Sequence, residues 1–110
     1  MGITRRQFVQ GLALTACASR VSFAAFPERP VTIVVPLAAG GVTDIVARYV
    51  ANQLGQVWKA PIVVENRPGA GGSVGAEYVA KARPDGYTLV MGTVSSHAIN
   101  ASLYQGLRYD

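Results

Sequence analysis

The run Val31–Val35, VTIVV, constrains this chain more than any other feature. Four of its five residues are β-branched and apolar, the other is Thr32, and Pro30 and Pro36 bracket it. A continuous run of that kind, without polar alternation, predicts a strand buried on both faces of a parallel sheet. A loop of small residues follows, Ala38, Ala39, Gly40 and Gly41, and a helical pattern starts at Val42 or Thr43. Strand, glycine turn and helix start in that order leave bare backbone N–H groups at the positive end of a helix, where an anion is stabilised. The loop is expected to hold the carboxylate of a small molecule.

The same grammar recurs downstream. The helix is expected from about Thr43 to Leu54, with Val42, Ile45, Val46, Tyr49, Val50 and Leu54 inward, Arg48 and Asn52 outward, and Gly55 as its stop. Thr43 and Asp44 fall in the first turn, where a hydroxyl or carboxylate caps free N–H groups. Asp44 also has a second option, accepting hydrogen bonds from a ligand. A second strand, Ile62–Val64, ends at Glu65 and leads through NRPGAGGSVG (Asn66–Gly75) into a helix over about 74–82. Arg83–Gly86 reads as a β-turn with Pro second and Gly fourth. Thr88–Met91 is a third strand, and Gly92–Ser96 a third loop entering a helix at Ala98–Tyr104. Three β-loop-α units in succession predict an α/β fold with a parallel sheet and right-handed crossovers. In such sheets ligands sit beyond the carboxyl ends of the strands, where all three small-residue loops fall.

The loops permit several chemistries. Gly69, Gly71 and Gly75 approximate a dinucleotide fingerprint. That fingerprint needs an acidic residue about 20 positions on, and Val90–Ser96 contains none; a structural glycine turn fits better. Thr93, Ser95, Ser96 and Asn100 offer hydroxyls and an amide near a helix start, as ligand contacts or as ordinary caps. His97 is the single histidine, and with the one cysteine, Cys17, inside the first 24 residues and no clustered carboxylates, it builds no metal site from this chain alone. Ser-Ser-His suggests a nucleophile beside a base, but adjacent helical residues are expected to diverge. Tyr49, Tyr78 and Tyr87 read as core-edge aromatics, and Arg48, Lys81 and Arg83 as solvated helix charges.

The first 24 residues read as an export signal: a positive start at Met1–Arg6, a mostly apolar stretch Phe8–Ala18, and small residues at Ser22 and Ala24 before cleavage. Thr4-Arg5-Arg6-Gln7-Phe8 resembles a twin-arginine motif, with Val9 and Gln10 replacing the usual Leu and Lys. Leu14-Thr15-Ala16-Cys17 also resembles a lipobox, so anchoring through a lipidated Cys17 is the alternative to cleavage after Ala24. The chain of 110 residues carries 10 basic and 6 acidic residues. Without Arg5, Arg6 and Arg20 the balance is close to neutral, so no basic patch suggests nucleic acid.

These segments together closely resemble the Bug family, the extracytoplasmic solute receptors of tripartite tricarboxylate transporters. The resemblance is carried by FPERPVTIVVPLAAGGVTDIVAR, VVENRPGAGGSVGAEYVAKARPDGYTLVMGT and HAINASLY, which span nearly all of residues 26–110. Departures are Leu37-Ala38, where Phe-Pro is usual, and Ala101, where Pro is common. The resemblance implies a two-lobe periplasmic binding protein of type II-like fold, closing on a carboxylated solute and serving membrane permease subunits, with no catalysis, cofactor or metal. It implies ligand contact from Ala39, Gly40, Gly41, Thr43 and Asp44 in the first loop and from Thr93, Ser95, Ser96, His97 and Asn100 in the third. It also implies that residues 25–110 form an incomplete first lobe, a piece that neither closes on its ligand nor binds it tightly alone. The solute class expected is a di- or tricarboxylate, an amino acid or an aromatic acid. A nucleotide-binding enzyme fragment and a non-functional truncated product are the rival readings.

Overall fold

The computed structural model describes residues 25–110; the expected signal, its twin arginines and Cys17 lie outside the described residues. The elements in order are β1 (Val31–Val35), α1 (Val42–Trp58), β2 (Ile62–Asn66), a 3₁₀ turn (Ala70–Gly72), α2 (Ser73–Ala80), β3 (Thr88–Val90), a π-helical turn (Ser95–Ile99) and α3 (Asn100–Leu103). The strands form one parallel sheet in the order β2-β1-β3. Val31–Val35 lies in register with Ile62–Asn66, and Thr32–Val34 with Thr88–Val90. Because the strands run the same way, their carboxyl ends line one edge, and all three glycine-containing loops leave from it.

β1 is central, and it is buried as its composition requires. Val31, Val34 and Val35 are inaccessible and Ile33 nearly so. Ile33 and Val35 pack against Ala47 and Ala51 of α1, with Leu37, Leu54, Ile62, Val64, Leu89 and Met91 around them. Each β-branched side chain so buried contributes roughly 1.5–3 kcal/mol. α2 contributes buried Gly75 and Ala76 beside the end of β1. A Cβ on Gly75 would lie 2.8 Å from Pro36 Cα and 3.0 Å from the Arg67 carbonyl, so glycine is what lets α2 sit so close. At the opposite edge Phe26 packs on Trp58 and Tyr87, and Arg29 both pairs with Asp85 and lies over the Tyr87 ring.

Two expectations for α1 are corrected. Its sheet-facing stripe is Asp44, Ala47 and Ala51, with Leu54 inward as expected, while the other large apolar residues of the first turns point out: Val42 is 78% exposed, Ile45 62%, Val46 47% and Tyr49 67%. Small residues let the helix axis approach the crowded β-branched surface of β1, and the bulkier stripe is turned outward. Nor does Gly55 end the helix, which runs to Trp58 and stops at Lys59 in the left-handed conformation (φ 52°). Gly55 serves a different need, since a Cβ there would come within 3.3 Å of the Ala60 carbonyl as the chain turns back.

Lys59→Gly is expected to stabilise the fold by about 1 kcal/mol, relieving a left-handed non-glycine residue. Gly75→Ala is expected to destabilise it by about 1–3 kcal/mol through overpacking on Pro36. Urea titration followed by circular dichroism measures both.

Candidate functional site

The first loop owes its shape to glycine and to one carboxylate. Gly40 has φ 90°, a conformation costly for other residues, and a Cβ there would meet nothing within 4 Å. Gly41 is extended, its carbonyl accepts the Ile45 N–H at 3.0 Å, and no side chain caps the helix start. Ala39, Gly40 and Gly41 are exposed and Thr43 is half-buried. The open backbone of this loop therefore meets solvent directly at the positive end of a 17-residue helix.

Asp44 sits differently. It is 4% exposed, and both of its oxygens are engaged within the chain. Oδ2 accepts the Gly40 N–H at 3.0 Å and Arg48 Nε at 3.1 Å, and Oδ1 accepts Asn66 Nδ2 at 3.0 Å. These donors, Gly40 first, then Asn66 and Arg48, hold its pKa down from the ordinary 3.8 to about 2. Asp44 thus ties the loop to the helix instead of capping the first turn. Arg48, expected to be a solvated charge, is recruited into the same network.

The third loop is also tied to itself. Thr93 Oγ1 accepts the Ser96 N–H at 3.2 Å, and Ser96 Oγ accepts the Thr93 N–H at 3.0 Å, a reciprocal pair like a capping box. Ser95 Oγ lies 2.9 Å from Thr93 Oγ1. Ser96 and His97 do meet, contrary to expectation, at 2.8 Å between Oγ and Nδ1. The wider π-helical turn allows it, but Ser96 is 1% exposed and enclosed by Thr93, so its hydroxyl is a structural tie. The exposed His97 ring lies over Gly92, where a Cβ would come within 3.0 Å of it.

Asn100 is 2% exposed, and its amide nitrogen reaches the Gly71 carbonyl at 3.1 Å and Ser73 Oγ at 3.0 Å. It joins the third loop to the second. The glycines of that second loop are used for close approach: a Cβ on Gly72 would lie 3.3 Å from Ser96 Cβ, and one on Gly71 3.3 Å from Asn100 Oδ1. Gly72 is buried against its neighbours and Gly71 lies beside the Asn100 amide, so both glycines serve the packing of this loop.

The candidates therefore divide. Ala39, Gly40, Gly41, Thr43, Thr93, Ser95 and His97 retain some exposure along one sheet edge, while Asp44, Ser96 and Asn100 are buried ties. Asn66 was not among the candidates, yet its side chain joins Leu37, Asp44 and Arg48. A polar amide closing an apolar strand was the available signal. A cleft of about 590 Å³ lies elsewhere, between α1 and β2, and none of the candidate residues lines it.

Residues 45–110 match the model of the tripartite tricarboxylate transporter family receptor. The chain is similar to Protein BugT of Bordetella pertussis, 39% identical over 112 residues, covering 99% of this chain and 34% of that protein. It also resembles the solved structure of Rhodopseudomonas palustris Rpa4515 with adipate, at 43% identity and TM-score 0.75, covering 78% of this chain and 29% of the other. The structure of MatC from the same organism, with bound malate, gives 45% identity and TM-score 0.73 over 76% and 29%. The chain spans about a quarter to a third of the length of the curated relatives it matches.

Because the Asp44 carboxyl binds protons less readily folded than unfolded, it stabilises the fold above about pH 4 and loses that effect as pH falls towards 2. Asp44→Asn is expected to lower the melting temperature at pH 7 and to flatten the acid limb between pH 4 and 2. Thermal melts across that window measure it.

Proposed function

The chain belongs to the tripartite tricarboxylate transporter receptor family, and on that premise we propose that it supplies the carboxylate-gripping part of an exported solute receptor. The observation that carries this reading is the exposed Gly40-Gly41 loop opening a helix that no side chain caps. An anion placed there meets oriented N–H groups and the positive helix end together. Thr43 from the first loop and Thr93, Ser95 and His97 from the third would complete the polar surround. The adipate and malate of the two similar structures are both dicarboxylates, which supports that substrate class. Binding makes and breaks no bond, and the filled receptor delivers its solute to membrane permease subunits.

One lobe edge grips only part of a solute. A single charge at a helix terminus gains only about 0.3–1 kcal/mol when exposed, so this chain alone is expected to bind malate more weakly than a Kd of about 1 mM, which would require about 4 kcal/mol. Titration of the isotopically labelled chain with malate and with the neutral malamide measures it by amide chemical shifts. Saturable shifts at Gly41, Val42 and Thr43 with malate and not with malamide are expected. Equal responses to both would refute an anion site.

Residues 1–24 are proposed to direct export, with cleavage after Ala24. Mass spectrometry of protein recovered from a periplasmic extract is expected to find Ala25 at the amino terminus. A diacylglycerol adduct on Cys17 would instead establish a lipoprotein.

A further inference from the structure

We propose that Asn66 acts with Asp44 as the positioning clamp of the carboxylate site, fixing the first loop from the neighbouring strand without touching the anion. The proposal rests on the carboxylate reading above. Asn66 closes β2 in register with Val35, the last residue of β1, so its side chain stands where the first loop begins. Its Nδ2 donates to the Leu37 carbonyl at 3.2 Å and to Asp44 Oδ1 at 3.0 Å, and its Oδ1 accepts Arg48 at 3.3 Å. Amide nitrogen and oxygen are both engaged inside the protein. Asp44 is equally committed, through Gly40, Arg48 and Asn66. Neither side chain can turn to a solute without breaking these bonds.

Two consequences follow for the anion. The loop from Ala38 to Gly41 carries only methyl groups and hydrogens as side chains, so it has little of its own to hold it. The clamp fixes it from both sides: Leu37 through Asn66, and Gly40 through Asp44. Ordering that would otherwise be charged to binding is then completed on folding. The second consequence is electrostatic. A carboxylate in the first turn would repel the solute's own carboxylate, and the Arg48 guanidinium at 3.1 Å offsets that charge at close range. Gly40 spends its N–H on Asp44, which leaves those of Gly41, Val42 and Thr43 at the helix start as the donors for a solute.

The test uses the 110-residue chain, malate as probe, and amide exchange with chemical shifts as readouts. In the unsubstituted chain the Gly40 amide should exchange at least tenfold more slowly than that of Gly41. Asn66→Ala should release Gly40 to the Gly41 rate and raise the malate Kd at least fivefold, while β1 amides keep their protection. Unchanged Gly40 exchange and unchanged Kd would overturn the proposal. So would loss of binding with Gly40 still protected, because Asn66 would then be a contact. If β1 protection is lost in Asn66→Ala, Arg48→Gln supplies the second reading, since Arg48 is exposed. It should raise the malate Kd at least threefold at low salt, with the gap narrowing as sodium chloride is added; no change would overturn the clamp. Absence of malate shifts in the unsubstituted chain, with Gly40 protected, would refute the carboxylate reading and remove the site the clamp serves. That outcome is distinct from a clamp that fails to loosen.

Discussion

Every main-chain polar group of β1 has to find its partner inside the protein, because the strand is covered on both faces and flanked on both sides. β2 and β3 meet that demand as parallel neighbours, and the direction of β1 fixes theirs. Parallel strands require crossovers, and the crossovers here are α1 and α2. The gathering of three loops at one edge is thus a consequence of how one hydrophobic strand satisfies its hydrogen bonds. The candidate anion site inherits its location from that requirement.

Loops built from alanine and glycine need something else to hold them, and two asparagines do it in parallel fashion. Asn66 reaches from the end of β2 to the first loop, and Asn100 reaches from the third loop to the second. An amide suits this work because it offers donors and an acceptor without charge. Buried polar groups are costly when unpaired, so these contacts specify one loop arrangement rather than merely adding stability. Asn66 also holds Asp44, whose charge is balanced by Arg48 on the next turn.

Much of this was legible in the sequence. The bounds of β1 were readable because a β-branched run between prolines has few alternatives, and the later strands differ from expectation by a residue or two. The face of α1 was not legible, because periodicity weights large apolar residues, whereas Ala47 and Ala51 fit against the strand through being small. The end of α1 was misread for a related reason. Gly55 is a glycine of close approach, and the left-handed stop falls on Lys59. Around the site, the open backbone at Gly40-Gly41 was evident, as was capping by Ser96, but the inward turn of Asp44 and Asn100 depends on partners 22 and 29 positions away. Such pairings are set by which strands and loops lie side by side, which local spacing does not encode.

The outward stripe of α1 has a bearing on how this polypeptide behaves in solution. Val42, Ile45, Val46 and Tyr49 form an oily ridge on a helix whose other side already lies on the sheet. A rod coated with hydrocarbon on two sides belongs in the middle of a layered body, with neighbours above and below. Left facing water, that ridge makes crowding of many copies favourable, and purification of the short polypeptide becomes a contest between dilution and clumping.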